Sequence, residues 1–482
     1  MTAKDTLFDR ASNPLELSPE AMRQLVDAAM ARLVPLLESL PRQPAADTEG
    51  GVEVARSLIE SAPESGRPLD EILDLLFDKA VPKSFNTAGP GYLAYIPGGG
   101  LFQSAVADLM ASSFNRFTGV FAAAPALAQL EANVVRWFAD IVGYPPESRG
   151  ILTPGGSIAN WIGLVTARRE RLGEAFHDGV VYTSDQSHHS VLKSAILTGF
   201  AESRVRRLPS DSSQRLDLAA LERAIRADRA AGLRPAVVNA NAGTTNTGAI
   251  DPLPELADLA TAEGLWLHVD AAYGGFFAMT ERGRDALRGL ERADSLVLDP
   301  HKALFLPYGT GALLVRDGEA LRRTHGLRAD YMPPIQDDPD LIDFCEISPE
   351  LSRPFRGLRV WLPIQMHGLD AFRRNLDEKL DLAHWAADEL ERIESVRLVA
   401  RPRLSLLAFR IEPPGLEGEP LEAFNRAVLD GVNQRGQVYL TGTVLDGRFV
   451  LRICVLSFRT HRDRVDTALD QIRDEIEQRL SA

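Results

Sequence analysis

Hydrophobic positions follow two different periods along this chain, and the change of period divides it. In the first 85 residues, apolar side chains recur at helical spacing. In PEAMRQLVDAAMARLVPLLESL (19–40), for example, Met22, Leu25, Val26 and Leu33 share one face. From residue 86 onward, short apolar runs alternate with helical stretches. The pattern predicts a helical N-terminal segment, residues 1–85, followed by an α/β region.

Apolar runs of strand length recur through the middle of the chain, and each is hydrophobic enough to be buried on both faces. Between the second and third runs, Asp251 predicts a helix N-cap, Pro252 the first helical residue and Gly264 the residue after the last turn. Alternating strands and helices predict a mostly parallel, open α/β sheet in a large domain, residues 86–370. The runs are GVVYTSD (179–185), AVVNANAG (236–243), LWLHVDAAY (265–273), DSLVLDPHK (294–302) and GTGALLVRD (309–317).

The C-terminal region, residues 371–482, mixes long amphipathic helices with two further strands, RLSLLAFRI (403–411) and RFVLRICVL (448–456). This mixture predicts a smaller α+β domain. Before it, residues 328–350 are polar, proline-rich and without period. Loops of that length and composition are typical of lids and binding loops.

Charge and cysteine content narrow the function classes. The 482 residues carry a formal net charge of -14, which argues against a nucleic-acid partner or an anionic membrane surface. No apolar run reaches the roughly 18–20 residues that span a bilayer, and the N-terminus has no apolar signal core. With only Cys345 and Cys454, neither a disulfide framework nor a cysteine zinc site is expected. We expect a cytoplasmic protein without a metal centre.

Four groups of polar residues stand where predicted strands end, which is where open α/β sheets bind ligands. Thr153-Pro-Gly-Gly-Ser157 precedes a helix and suits a phosphate, although such a sequence is more often a plain turn and cap. Asp270 closes a buried strand, either as a cap or salt-bridge partner or as the carboxylate that pairs with a cofactor's ring nitrogen.

The other two groups are Lys302 and the pair His188-His189. Lys302 follows a buried strand, where desolvation is expected to lower its pKa as a Schiff-base lysine requires, and the chain has only five other lysines. The two histidines make a poor metal site, because adjacent strand residues point to opposite faces. One of them packed over a flat ring is the better interpretation.

These groups together resemble the pyridoxal-phosphate (PLP)-dependent group II decarboxylases, the family of aromatic-L-amino-acid, glutamate and cysteine-sulfinate decarboxylases. HVDAAYGG followed by PHK is the most specific part of the resemblance, which extends over about 90–365 and fits the flanking helices. It implies PLP fold type I. The motifs are GYLAYIPGGG (91–100), TPGGSIAN (153–160), SDQSHHS (184–190), NAGTTNTGAIDPL (241–253), LHVDAAYGG (267–275), DPHK (299–302) and SRPFRGLRVW (352–361).

The resemblance also implies roles for individual residues. Lys302 would hold PLP as a Schiff base, Asp270 would pair with the pyridine nitrogen, and His188 would stack on the ring. These three are the expected catalytic residues. The remaining cofactor contacts would come from Gly156 and Ser157 at the phosphate, His301 near it, Thr245 close to the ring and Ala272 beneath it.

Substrate contacts are expected at Tyr95 and Pro97, which match the family's substrate-pocket positions, and at Phe121 and Phe344. The loop 328–350 is similar to the family's mobile catalytic loop, which reaches into the neighbouring subunit. A homodimer with a shared active site is therefore implied, and the apolar faces of the N-terminal helices favour the same assembly.

Two positions depart from the family pattern. Asp299 stands where the family often has Asn, and its carboxylate would repel a phosphate unless it is turned away. Phe344 stands where decarboxylases often have a Tyr that returns a proton after CO2 leaves. In plant relatives, Phe at this position accompanies oxidative conversion to an aldehyde.

Our leading hypothesis is PLP-dependent decarboxylation of an L-amino acid, aromatic substrates favoured, to the amine and CO2. One alternative is a PLP- and O2-dependent aromatic aldehyde synthase, suggested by Phe344. Another is a different fold-type-I PLP lyase or aminotransferase, which the abundant arginines leave open. A catalytically silent scaffold is the remaining alternative, and the intact set of Lys302, Asp270 and His188 argues against it.

Overall fold

Two β-sheets organise the chain in the computed structural model, which describes residue 13, residues 15–326, residue 338 and residues 340–481. The larger sheet has seven strands in the order β1-β7-β6-β5-β4-β2-β3. Strands β2 to β6 pair in parallel, so the predicted mostly parallel sheet is confirmed. The strands are β1 (Arg149–Thr153), β2 (Gly179–Ser184), β3 (Val205–Leu208), β4 (Arg234–Asn241), β5 (Trp266–Asp270), β6 (Ser295–Leu298) and β7 (Gly311–Val315).

Strand β7 runs antiparallel to both of its neighbours, β6 and β1. The connection from β6 to β7 holds a single helical turn, whereas a parallel crossover needs a dozen or more residues and usually a full helix. The fifth predicted strand is therefore present, but its start rather than its end lies at the same edge as the ends of the parallel strands.

Helices account for most of the remaining chain. A π-helical turn, Leu75–Ala80, follows α3 directly. The α-helices are α1 (Pro19–Ser39), α2 (Gly51–Ser57), α3 (Leu69–Asp74), α4 (Phe102–Phe114), α5 (Pro125–Val142), α6 (Gly156–Leu172), α7 (His189–Leu197), α8 (Leu218–Ala230), α9 (Leu253–Glu263), α10 (Glu281–Ala286), α11 (Pro300–Ala303), α12 (Gly318–His325), α13 (Phe344–Ile347), α14 (Gly357–Glu391), α15 (Gly418–Gln434) and α16 (Arg462–Ser481).

Helices cover both faces of the large sheet. Alternate residues of β2 belong to different apolar clusters: Val180 and Tyr182 pack with residues of α5, α8 and α9, whereas Val181 packs with residues of α6, α7 and α12. Because successive strand residues point to opposite faces, the two clusters are the two sides of one sheet. This explains why the strands read as continuous apolar runs in the sequence.

Helix α9 begins slightly later than predicted. Its N-cap is Pro252, and Gly264 ends it in a left-handed conformation with φ of 67°. The predicted cap, Asp251, is instead buried, and its carboxylate accepts hydrogen bonds from the backbone N–H groups of Leu216 and Asn241. Asp251 therefore joins the loop before α8 to the end of β4 rather than capping a helix.

The C-terminal sheet is antiparallel, with the order β10-β11-β9-β8, and packs against α15 and α16. The expected domain boundary at 370/371 falls inside α14, close to a break at Gly368, where φ is 70° and ψ is 158°. The described residues include no helix with the length and hydropathy of a membrane span. The strands are β8 (Val396–Ala400), β9 (Leu406–Ile411), β10 (Thr441–Leu445) and β11 (Arg448–Cys454).

A short segment around Leu93 joins the C-terminal sheet despite its distance in sequence. Leu93 N–H donates to the Tyr439 carbonyl at 3.0 Å, and Cys454 N–H donates to the Leu93 carbonyl at 2.9 Å. The Leu93 side chain is buried in the apolar cluster of that sheet. Residues near 93 and near 454 thus form one structural unit.

Candidate active site

The carboxyl-terminal edge of the large sheet brings the predicted site residues together. Register pairs Asn241 with Asp270, Asp270 with Val297, and Thr153 with Gly311. The loops that follow β1, β2, β4, β5 and β6 therefore emerge side by side. They enclose a cavity of about 320 Å³.

Helix α6 opens its N-terminus into this cavity. Its N-cap is Gly155, and no side chain caps it in the part of the chain that the structure describes. A Cβ atom on Gly156 would lie 3.0 Å from Asp299 Oδ2 and 3.3 Å from Ala272 Cβ. Glycine at this position keeps the backbone N–H groups open to a ligand, and a free helix N-terminus favours an anion such as phosphate.

Asp270 presents a buried carboxylate to the cavity, with a residue exposure of 8%. Its Oδ1 accepts from the Ala272 backbone N–H at 3.1 Å, and its Oδ2 accepts from Asn160 Nδ2 at 3.0 Å. Two donors hold the carboxylate in one orientation, which offsets part of the cost of burying it. A cationic ring nitrogen is a suitable further partner.

Lys302 lies in α11, directly after β6, and its Nζ atom is 2.9 Å from Asp299 Oδ2. Burial lowers the pKa of Lys302, but the charges of Asp299 and Asp270 together outweigh burial and raise it above the ordinary lysine value. The expectation that desolvation leaves this lysine with a lowered pKa is therefore wrong. Burial alone would lower the pKa, but the Asp299 carboxylate, three residues earlier in the chain, has the opposite effect.

Asp299 itself is almost completely buried, at 2% exposure. Its Oδ1 has no hydrogen-bond partner among the described residues, and its Oδ2 is also 3.6 Å from His301 Nε2. Burial lowers the pKa of His301, which Asp299 partly counteracts. The Asp299 carboxylate thus faces both Lys302 and the N-terminus of α6.

His188 caps α7 rather than lying in a strand. Its Nδ1 accepts from the Ser190 backbone N–H and lies 2.7 Å from Ser190 Oγ. The rings of His188 and His189 are 4.2 Å apart between centroids. Burial lowers the pKa of His188 below the ordinary histidine value, so the ring is neutral at pH 7. A neutral flat ring at the cavity wall suits stacking on a planar ligand.

All of the residues expected to contact the cofactor line the cavity, namely Gly156, Ser157, His188, Thr245, Asp270, Ala272, His301 and Lys302. Further polar residues at the cavity wall, Asn160 among them, were not predicted. Asn160 follows Gly156 by four residues, so a polar side chain on the same helix face was the available signal. The additional polar residues at the wall are Asn160, Ser190, Asn241, Thr244 and Tyr273.

The expected substrate residues do not line this cavity in the single chain. Tyr95 is half exposed with φ of 49°, Pro97 is buried nearby, and Phe121 packs against the α6 side of the sheet. Phe344 is fully buried in that same apolar cluster, with Arg353 over its ring at 4.7 Å. Apolar side chains therefore surround the phenyl ring of Phe344 in the single chain.

The expected catalytic loop, 328–350, lies partly outside the described residues. In its described part, Asp343 Oδ1 accepts from the Phe121 backbone N–H at 2.6 Å, and Cys345 N–H donates to the Gly119 carbonyl at 3.0 Å. These bonds hold residues 343–347 against the loop before α5.

The polar groups at the cavity wall fit the functional groups of PLP. An uncapped helix N-terminus matches the phosphate, a primary amine matches the aldehyde, and a buried carboxylate matches the pyridine nitrogen. The neutral imidazole ring of His188 provides a flat surface on which the pyridine ring could stack.

Comparison with known proteins agrees with this geometry. The model of the pyridoxal-dependent decarboxylase conserved domain matches residues 53–412. An aromatic-L-amino-acid decarboxylase of Bacillus atrophaeus is 35% identical over 451 residues, covering 93% of this chain and 94% of the relative. Tryptophan decarboxylase 2 of Oryza sativa subsp. japonica is 30% identical, covering 87% of each chain. The crystal structure of Oryza sativa TDC with PLP and tryptamine aligns with a TM-score of 0.91 at 27% identity, covering 97% of this chain and 99% of that chain.

Proposed function

Because the chain belongs to the pyridoxal-dependent decarboxylase family and is a PLP-dependent decarboxylase, we propose that it converts an aromatic L-amino acid to its amine, with Lys302 holding the cofactor. One observation carries the proposal. Lys302, the Asp270 carboxylate and the uncapped N-terminus of α6 converge on one cavity. PLP, when bound, supplies an electron-withdrawing ring that accepts the electrons of the bond to the departing carboxylate.

Lys302 and Asp299 form a buried ion pair. The Lys302 ammonium donates to Asp299 Oδ2 at 2.9 Å, and the Asp299 charge keeps the lysine protonated and ordered. The neutral amine is the form that attacks a carbonyl carbon, so Lys302 must lose this proton before it reacts, and Asp299 opposes that loss.

Asp270 keeps a proton on the ring nitrogen. Its two oxygens are each held by one donor, from Ala272 and from Asn160, and each oxygen retains a lone pair for the ring. In a buried site, a fixed negative charge stabilises the cationic nitrogen far more than the same charge in water. His188 would stack on one face of the ring and shield that face from water.

An aromatic side chain is the substrate feature that the cavity supports best. An acidic side chain needs a basic partner. Lys302, the cation in the part of the cavity wall that the structure describes, already pairs with Asp299. The relatives named for aromatic substrates support the same choice.

The test is product analysis with the purified holoenzyme. Tryptophan, tyrosine, phenylalanine and DOPA are expected to yield the amine and CO2, equally under air and argon, while glutamate and cysteine sulfinate yield neither. Aldehyde with peroxide under air would instead support the aldehyde synthase. Borohydride reduction and peptide mapping should find the pyridoxyl group on Lys302, with Lys193→Ala, an exposed-lysine variant, as the matched control. A label on Lys193 would contradict the assignment.

We also propose that two copies of the chain form a dimer through the N-terminal helices. Helix α1 buries none of its residues in the single chain, and apolar side chains such as Met22, Val34 and Val52 are at least half exposed. Apolar surface of this extent marks an interface. Sedimentation equilibrium is expected to give a dimer, and a fully active monomer at nanomolar concentration would refute the assembly.

A further inference from the structure

Asn160 lies at the centre of a buried hydrogen-bond network behind the cavity. Its side chain is 1% exposed, and it uses all of its strong hydrogen-bonding groups. Nδ2 donates to Asp270 Oδ2 at 3.0 Å and to Ser190 Oγ at 3.1 Å, while Oδ1 lies 2.8 Å from His268 Nε2. Because a carboxylate only accepts, the amide nitrogen must face Asp270, and the amide orientation is fixed.

This orientation determines the proton position on His268. An amide oxygen only accepts, so His268 Nε2 must carry the proton that it shares with Asn160 Oδ1. His268 Nδ1 then accepts from Ser295 Oγ at 2.7 Å, and Ser295 Oγ accepts from Trp266 Nε1 at 2.8 Å. Burial lowers the pKa of His268 to about 4, in agreement with a neutral ring. Every donor on this branch points toward Asp270.

The second branch determines the proton position on His188. Ser190 Oγ accepts from Asn160, so its own proton is free to donate to His188 Nδ1 at 2.7 Å. The Ser190 backbone N–H also donates to Nδ1, but at 3.3 Å it is the longer of the two contacts, so the hydroxyl supplies the stronger bond. A proton on Nδ1 would lose the bond from the hydroxyl and face the backbone proton. The neutral His188 ring therefore carries its proton on Nε2, and the Ser190 hydroxyl supplies most of that preference.

We propose that Asn160, held in place by His268, is a positioning residue that orders two of the residues that would contact the cofactor ring. Through Nδ2 it holds the Asp270 carboxylate at the ring nitrogen, and through Ser190 it keeps His188 in the Nε2–H tautomer. This rests on the proposed function for the cofactor, but the tautomer of His188 is a property of the chain itself.

The experiment measures the effects of the two branches separately, as the His188 tautomer and as the affinity for PLP. Full-length protein with 15N-labelled histidine is studied by NMR with PLP bound and after its removal, and His188→Gln identifies the His188 signal. The dissociation constant of PLP is measured for the same variants. Wild type is expected to show His188 protonated at Nε2 in both states. Ser190→Ala should shift His188 toward a mixture of tautomers and change PLP affinity less than about threefold.

Asn160→Leu removes both branches at similar side-chain volume. It should mix the His188 tautomers and weaken PLP binding at least tenfold, with thermal unfolding reporting whether the variant is folded. An Nδ1–H tautomer in wild-type protein would overturn the proposal. So would an unchanged tautomer in Ser190→Ala, which removes a single hydroxyl and is informative even if Asn160→Leu fails to fold. A chain that binds no PLP would refute the proposed function. The His188 tautomer, measured without PLP, would still test whether Asn160 and Ser190 control it.

Discussion

Replacing Asp299 by Asn tests the effect of the buried carboxylate beside Lys302. The substitution keeps the shape and an oxygen that accepts from Lys302 Nζ, but it removes the negative charge that lies 2.9 Å from that ammonium and faces the α6 N-terminus. Two effects then act in the same direction. Asp299 raises the pKa of Lys302, so the pKa falls when the charge is removed. The repulsion between this charge and a bound phosphate disappears as well.

The size of the effect follows from the geometry. Two unit charges 4 Å apart interact by about 4 kcal/mol at an effective dielectric constant of ~20, and a tenfold change in an equilibrium constant needs only about 1.4 kcal/mol. Even if solvent and neighbouring charges screen most of the interaction, PLP should bind at least about tenfold more tightly to Asp299→Asn, and attach faster at pH 7. Attachment here means the reaction of the Lys302 amine with PLP, which needs the neutral amine. In wild type its rate therefore rises as the pH approaches the raised pKa of Lys302, and in the variant the rise occurs at lower pH.

Attachment is followed by stopped-flow absorbance after PLP is added to the apoenzyme, and affinity by equilibrium dialysis. Asp285→Asn is the matched control, because Asp285 lies on the surface in an exposed pair with Arg288 and changes the net charge equally. Unchanged or slower attachment in Asp299→Asn, with the control normal, would refute the electrostatic reasoning.

Three further substitutions probe the site and its support. Asp270→Asn should leave folding intact and lower kcat/KM about a thousandfold, roughly 4 kcal/mol, because the ring nitrogen loses its anionic partner; near-normal turnover would exclude that role. Phe344→Tyr buries a new hydroxyl in an apolar cluster and should cost about 1–3 kcal/mol of unfolding free energy without altering the product, whereas a change from aldehyde to amine would put this residue at the reacting carbon. Glu131→Gln removes the closest anionic partner of the buried Arg353 guanidinium, leaving Glu350 at 3.7 Å, and should cost about 3 kcal/mol in denaturant unfolding; a loss no larger than that of the exposed Glu222→Gln would contradict this.

The sequence predicted the elements whose environment is local and missed what depends on distant partners. Buried strands and the glycine-rich start of α6 carry their own composition, so the strand ends at Asp270 and Lys302 could be singled out. The other cofactor residues were expected only from the family resemblance. Asn160 was not, because a polar residue in a helix is ordinary until His268, more than a hundred residues later, is seen to lock it. The antiparallel direction of β7 and the burial of Phe344 likewise depend on packing that no local period records.

The pairing of Leu93 with Tyr439 and Cys454 has a consequence for how the protein is made. The N-terminal partner leaves the ribosome long before the C-terminal one. At about 5–20 residues per second, the roughly 360 residues between them take about 20–70 s to synthesise. Throughout that interval the segment around Leu93 has no sheet to join, and its apolar side chain stays open to other contacts. The C-terminal sheet therefore closes only at the end of translation, and a chain truncated before β11 would lack the strand that anchors the segment leading into the site.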